Sequence, residues 1–300
     1  MAAGSLEISG VIGACLTPLT ADGGFVEAAL RAQIEFMLAD VDAISIAAVE
    51  ASEYRLLDPD RRRALIRVAA QAVAGRCPTI VGASAPTHRG VVELAEVATE
   101  VGAAAVQVLM PHRPWGAQPE GPELVEWFAG LAEVCPLPIV AYHHPLAGAD
   151  PVPAVLADLS KIDRVVGFKD SSRDFTRIGW LAANIDRPGH ARYFTTIQPL
   201  LTTLLLGGAG AMMPPPATRI SARIVAAFRS GDLAAAAEFQ RAFASFPGKW
   251  SRYGLTPLMK RAMFHCGVDL GVSGTPGPEL PADLDAAIAD FVRRDVLQRS

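Results

Sequence analysis

The sequence predicts an α/β fold, a (β/α)8 barrel with a C-terminal helical extension, and three observations carry that expectation. Eight short apolar runs recur along the chain, at 11–17, 43–48, 79–83, 104–109, 138–142, 165–169, 193–195 and 210–213. Helical patterns lie between them, at about 25–39, 59–74, 88–101, 121–134, 151–159, 173–184, 198–206 and 215–229. The runs are continuously apolar with no polar alternation, which is how strands buried on both faces read. Eight such units in roughly 230 residues fit a closed barrel. An open doubly wound sheet is the competing architecture, but no GxGxxG follows the first run.

The element boundaries have local causes. Asp58-Pro59 supplies a cap and a first-turn proline for the second helix, and Asp150-Pro151 offers the same pair further on. Glycine closes helices at Gly102 and Gly207-Gly208. Pro214-Pro215-Pro216 bars continuation of the eighth strand. Residues 1–230 therefore form the barrel. Residues 231–300 read as helices at 231–246, 256–266 and 281–296, an appendage packed on the barrel without a core of its own.

Composition excludes several classes of function. The chain has 300 residues, 51% hydrophobic and 19% charged, with net charge -4. That describes a packed globule with no basic surface for nucleic acid. No apolar stretch is long enough to span a membrane, and Met1–Glu7 carries no leader pattern, so the expectation is cytoplasmic. Cys15, Cys77, Cys135 and Cys266 form no CxxC pair and no metal spacing with the six histidines. Neither a metal nor another cofactor is expected.

Lys169 stands out. It ends the apolar run Val165-Val166-Gly167-Phe168 in a chain with four lysines (161, 169, 249 and 260) among 27 basic residues. Burial disfavours the charged form of lysine, and a neutral amine can attack a carbonyl. The plainer reading is a lysine paired with Asp170. In a barrel, the C-terminal strand ends build the active site. Those ends present Thr17, Glu50-Ala51-Ser52-Glu53, Ser84, His112-Arg113, Tyr142-His143-His144, Lys169-Asp170, Thr195 and Met212-Met213. Tyr142 and Lys169 fall on neighbouring strands, and a phenol beside an amine can relay the protons of Schiff-base chemistry. Tyr142 also reads as a core tyrosine, His143 and His144 as rim or subunit-contact residues, and Glu53 as a support for backbone groups.

These motifs resemble the dihydrodipicolinate synthase / N-acetylneuraminate lyase superfamily of class I aldolases over about residues 8–275. Ser52-Glu53 with Leu57-Asp58-Pro59-Asp60 resembles GTTGE…LTxEE, and Pro138–Pro145 resembles PxxxYNxP. Gly167-Phe168-Lys169-Asp170-Ser171-Ser172 resembles GxKxxS/T, and Gly207-Gly208-Ala209-Gly210 resembles the GGxG before the eighth strand. The resemblance implies Lys169 as the Schiff-base lysine, Tyr142 as proton relay, and a homotetramer built as a dimer of dimers.

The chain also departs from the pattern. Val49-Glu50-Ala51-Ser52 replaces the threonine pair that holds a 2-oxo acid carboxylate. Ala147 stands where the synthases carry an arginine, and Pro111-His112-Arg113 replaces their PYY. The expected activity is thus a Schiff-base lyase, aldolase or dehydratase, acting on a 2-oxo acid or related small carbonyl compound. Glu50, Ala51, Ser52, Met212, His144 and Arg113 are the substrate-binding candidates. A true synthase, a non-catalytic binder on the same scaffold and a metal-dependent barrel are the rivals.

Overall fold

The computed structural model describes residues 6–247 and 250–298. Residues 1–5, part of the N-terminal segment read above, and Lys249 lie outside the described residues. The strands are β1 (Gly10–Ala14), β2 (Ala43–Ile46), β3 (Thr79–Gly82), β4 (Ala105–Leu109), β5 (Ile139–His143), β6 (Val165–Asp170), β7 (Arg192–Thr195) and β8 (Gly210–Met213). They follow one another around a closed barrel. The recorded pairs of neighbouring strands are parallel. Seven of the eight are buried at every residue, the exception being Arg192 in β7. This is the burial that the continuous apolar runs demanded.

Helices α1 (Glu27–Leu38), α2 (Pro59–Val73), α3 (His88–Glu100), α4 (Gly121–Val134), α5 (Pro153–Leu159), α6 (Phe175–Leu181), α7 (Leu200–Leu205) and α8 (Pro215–Arg229) alternate with the strands. After them come α9 (Leu233–Ala244), α10 (Trp250–Tyr253), α11 (Leu255–His265) and α12 (Ala282–Phe291). Among the described residues no helix is long and apolar enough to cross a membrane.

Two compact units divide the chain. One holds residues up to Gly10 with Pro78–Met212, the other Val11–Cys77 with everything from Met213 onward. The first has Phe128, Phe168, Tyr193 and Phe194 at its core, all fully buried. Within it, Gly210 adopts φ +151°, and a side chain there would strike the Gly10 carbonyl at 2.0 Å, which accounts for the last glycine of GGxG. The second unit packs Leu30, Ile34, Met37 and Leu65. It includes α9 to α12, where Arg261 of α11 ion-pairs with Asp285 of α12 at 2.5 Å.

Asp58 caps α2 as expected, accepting from the Arg61 N–H at 2.8 Å. Asp150 does not cap α5. That helix starts at Pro153, after Val152, and has no side-chain cap. The Asp150 carboxylate is taken instead by His143, whose Nε2 lies 2.7 Å away. The helix expected at 173–184 begins two residues later at Phe175, because Asp174 is its cap, and gives way at Ala182–Asp186 to a wider π turn.

Candidate active site

The site in the first unit is built by the pairing of β5 with β6. Ile139 pairs with Val165, but Val140 pairs with Gly167, so Val166 is an extra residue in β6. Without that bulge Tyr142 would stand opposite Phe168. With it Tyr142 faces Lys169, and His143 faces Asp170. Successive strand residues point to opposite faces. Asp170 meets Arg177 of α6, so its face is the helix-covered one. Lys169 and Tyr142 therefore point to the barrel interior.

Lys169 is 2% exposed, and its Nζ donates to the Thr195 carbonyl of β7 at 2.7 Å. No carboxylate pairs with it among the described residues, so the expected alternative of a Lys169–Asp170 pair is not the one adopted. Burial brings its amine down to about 7, Asp170 partly opposing and Arg173 adding to the fall. Near neutrality a large share of the amine is then unprotonated.

Tyr142 is buried beside it, with its ring edge-on to His144 at a centroid distance of 6.2 Å. His144 accepts the Leu146 N–H at Nδ1, 3.2 Å, which leaves Nε2 as the protonated nitrogen of the neutral ring. Burial holds its imidazole down at about 4, helped by the charges of Lys169 and Arg173, so it is neutral at ordinary pH. Met212 on β8 is buried. Arg113 is exposed and committed to Glu123 at 2.8 Å.

The helix-covered face of the same strands carries a polar cluster. Asp170 is 1% exposed and accepts from four donors. These are the Tyr193 hydroxyl at 2.8 Å, the Ser172 N–H at 2.8 Å, Arg177 Nε at 3.2 Å and His143 Nδ1 at 2.8 Å. These donors hold its carboxylate well below the usual range against the opposing effect of burial. His143 is fully enclosed between Asp170 and Asp150, not at a rim. The histidine and aspartate types were visible in the sequence; their partners on β7 and α6 were not.

Arg173 is a further residue that sequence reading passed over. It occupies the left-handed region at φ +60°, directly after the lysine motif. Its charge acts on Lys169, His144 and Tyr142.

The β2 loop of the second unit is held by its own contacts. Glu50–Ser52 forms a short 3-10 turn, and the Ser52 hydroxyl donates to the Val49 carbonyl. Glu50 accepts from the Tyr54 hydroxyl at 2.9 Å and pairs with Arg55 at 3.2 Å. The Ala51 carbonyl accepts from Thr256 at 3.0 Å. Glu53, left-handed at φ +54°, accepts the Gly274 N–H at 2.9 Å and meets Lys260 at 2.7 Å. Its expected role in supporting backbone groups is thus joined by a buried ion pair. Among the described residues no three His, Cys, Asp or Glu side chains converge as metal ligands.

The fold is a closed (β/α)8 barrel in which a buried lysine and a buried tyrosine stand opposite each other at the ends of adjacent strands. The chain belongs to the dihydrodipicolinate synthetase family, whose model matches residues 7–288, and it is a lyase. It is 30% identical over 184 residues to the 4-hydroxy-tetrahydrodipicolinate synthase of Methanothermobacter thermautotrophicus. That match covers 60% of this chain and 63% of the relative, a little under two thirds of its length. It is 28% identical over 292 residues, 93% of each chain, to YagE of Escherichia coli K12, provisionally assigned as a 2-dehydro-3-deoxy-D-gluconate aldolase. The crystal structure of YagE in complex with pyruvate superposes with a TM-score of 0.86 at 24% identity, covering 96% of this chain and 98% of that one.

Proposed function

We propose that the protein is a Schiff-base lyase acting on a 2-oxo acid or a related carbonyl compound. The supporting observation is Lys169, a buried amine that donates to a main-chain carbonyl and has Tyr142 opposite it. In this reading the neutral amine attacks the carbonyl carbon, the oxygen leaves as water, and the protonated iminium draws electrons from the adjacent bond. Tyr142 moves protons to the carbinolamine oxygen and at the α-carbon. Carbon–carbon cleavage and loss of water both pass through the resulting enamine. The names of the relatives, an aldolase of a deoxy sugar acid and a synthase, favour a 2-oxo acid as the carbonyl partner.

Met212 and His144 supply an apolar wall and a neutral hydrogen-bond donor in the proposal. Glu50, Ala51, Ser52 and Arg113 remain its carboxylate-side candidates. The resemblance adds a cytoplasmic homotetramer. The synthase activity itself is not the favoured reading, because Ala147 stands at the position of the arginine that would grip a second carboxylate.

The test is borohydride reduction with a panel of 2-oxo acids and aspartate semialdehyde, followed by peptide mass mapping. The peptide holding Lys169 should carry the adduct, and those holding Lys161, Lys249 and Lys260 should not. An adduct on another lysine, or none with any carbonyl, overturns the reading. Turnover of pyruvate with aspartate semialdehyde at the rate of an ordinary synthase would reinstate the synthase.

A further inference from the structure

An iminium on Lys169 is a fixed cation in a buried site, and the amine that becomes it touches no carboxylate among the described residues. A carboxylate in direct contact would hold the free amine protonated and prevent attack. A carboxylate close by but on the far side of the strand would support the cation without capturing the amine's proton. Asp170 occupies that place. It is the next residue of β6, its side chain lies on the opposite face, and four donors keep its oxygens engaged there. Residues of β5, β7, α6 and the loop after β6 are all committed to it.

We propose that Asp170 is the counter-charge of the Lys169 iminium, a positioning residue kept ionised on the helix-covered face by Tyr193, His143, Arg177 and the Ser172 N–H. This rests on the Schiff-base reading above. On adduct formation the nitrogen bonds the carbonyl carbon, one water leaves, and the nitrogen keeps one proton and the positive charge. The field of Asp170 stabilises that charge and also the protonated free amine. Arg173, in the loop after β6, works against it and adds to the fall that burial imposes on the Lys169 amine. His144, just after β5, stays neutral there near pH 7, and the Thr195 carbonyl on β7 accepts from the nitrogen. On the outer side Arg177 partly cancels Asp170, and His143 links it to the half-exposed Asp150.

Two substitutions then move the same quantity in opposite directions. Asp170→Asn keeps the size and one acceptor oxygen, removes the charge, and turns the other oxygen into an NH2 donor. Arg177→Gln leaves Asp170 less compensated. The measurement is the pH dependence of cyanoborohydride labelling of Lys169, using the 2-oxo acid that labels the parent protein. The acid limb should move to lower pH by about half a unit to one unit in Asp170→Asn, and to higher pH by a similar amount in Arg177→Gln. The labelled fraction at equilibrium should fall several-fold in Asp170→Asn, and Asp170→Glu should restore the parent limb. A purely structural role lowers the rate at every pH and leaves both limbs where they were, which overturns the proposal. If Asp170→Asn does not fold, Arg177→Gln decides alone: an upward shift supports the counter-charge and an unmoved limb removes it. Loss of all labelling in the parent protein would instead sink the Schiff-base reading.

Discussion

Lys169 and Lys260 are buried to the same degree, each 2% exposed, and each donates to a main-chain carbonyl at 2.7 Å, Thr195 for one and Val272 for the other. Their carboxylates differ. Lys260 meets Glu53 at 2.7 Å, so its charge is answered in place and the pair ties α11 to the loop after β2. Among the described residues Lys169 meets none, and Asp170, the anion whose charge acts on it, is turned to the other face of the strand. Burial lowers both amines. For Lys260 the hydrogen bond and charge of Glu53 oppose the fall, whereas Lys169 comes down to about 7 with only the more distant Asp170 opposing. In the proposed reading, burial lowers the Lys169 amine and no carboxylate in contact restores its proton, which leaves it able to attack a carbonyl.

The largest effect that would break this comparison is at Lys169. Lys169→Ala should abolish both the reduced adduct and turnover. Lys260→Ala should leave the adduct chemistry intact in those molecules that still fold. An adduct surviving in Lys169→Ala would show that another lysine carries it, and mapping it to Lys260 would reverse the roles of the two. Next comes Tyr142→Phe, which keeps the ring and removes the proton relay. Turnover should drop by about 10²–10⁴-fold while carbonyl binding persists. An unchanged rate would pass the relay to His144, whose neutral imidazole stands beside the tyrosine ring.

The structural lysine sharpens the contrast from the other side. Lys260→Met leaves Glu53 buried without its cation, and breaking a buried pair in this way costs about 3–5 kcal/mol. Chemical denaturation should show that loss, and a Glu53→Gln/Lys260→Met double variant should recover part of it. If Lys260→Met is as stable as the parent, Glu53 is satisfied by the Gly274 N–H and by the Ser273 hydroxyl, which also donates to it, and the ion pair contributes little.

The barrel was legible in the sequence because parallel strands covered on both sides must be continuously apolar, and eight such runs leave few architectures. Lys169 and Tyr142 were legible because each ends one of those runs. Their face-to-face placement was not, since it depends on the extra residue Val166, which carries no signature of its own in an apolar run. The second layer was hidden for a different reason. Asp170 and His143 each look ordinary in sequence, and their partners Tyr193 and Arg177 come from β7 and α6. Asp150, next to a proline, imitates a helix cap and serves His143 instead. The Glu53–Lys260 pair joins segments far apart along the chain, so nothing local distinguishes Lys260 from a surface lysine.

The smallest expected effect is a titration, and it separates the two lysines without a mutation at either. With its amine near 7, Lys169 is mostly neutral above that pH and increasingly protonated below it. Protonation removes the lone pair that attacks the carbonyl. Labelling by a 2-oxo acid and cyanoborohydride should therefore be flat above about pH 8 and fall about tenfold per unit below 7. His144, held at about 4, is already neutral throughout that range, and Asp170 is already ionised, so neither supplies the limb. Tyr193, raised by burial and by Asp170, remains a neutral donor. The same limb should appear in Lys260→Met, because that amine takes no part. A limb near 10, the range of an ordinary lysine, would mean that an anion reaches the Lys169 amine in solution, and the distinction between the two buried lysines would disappear.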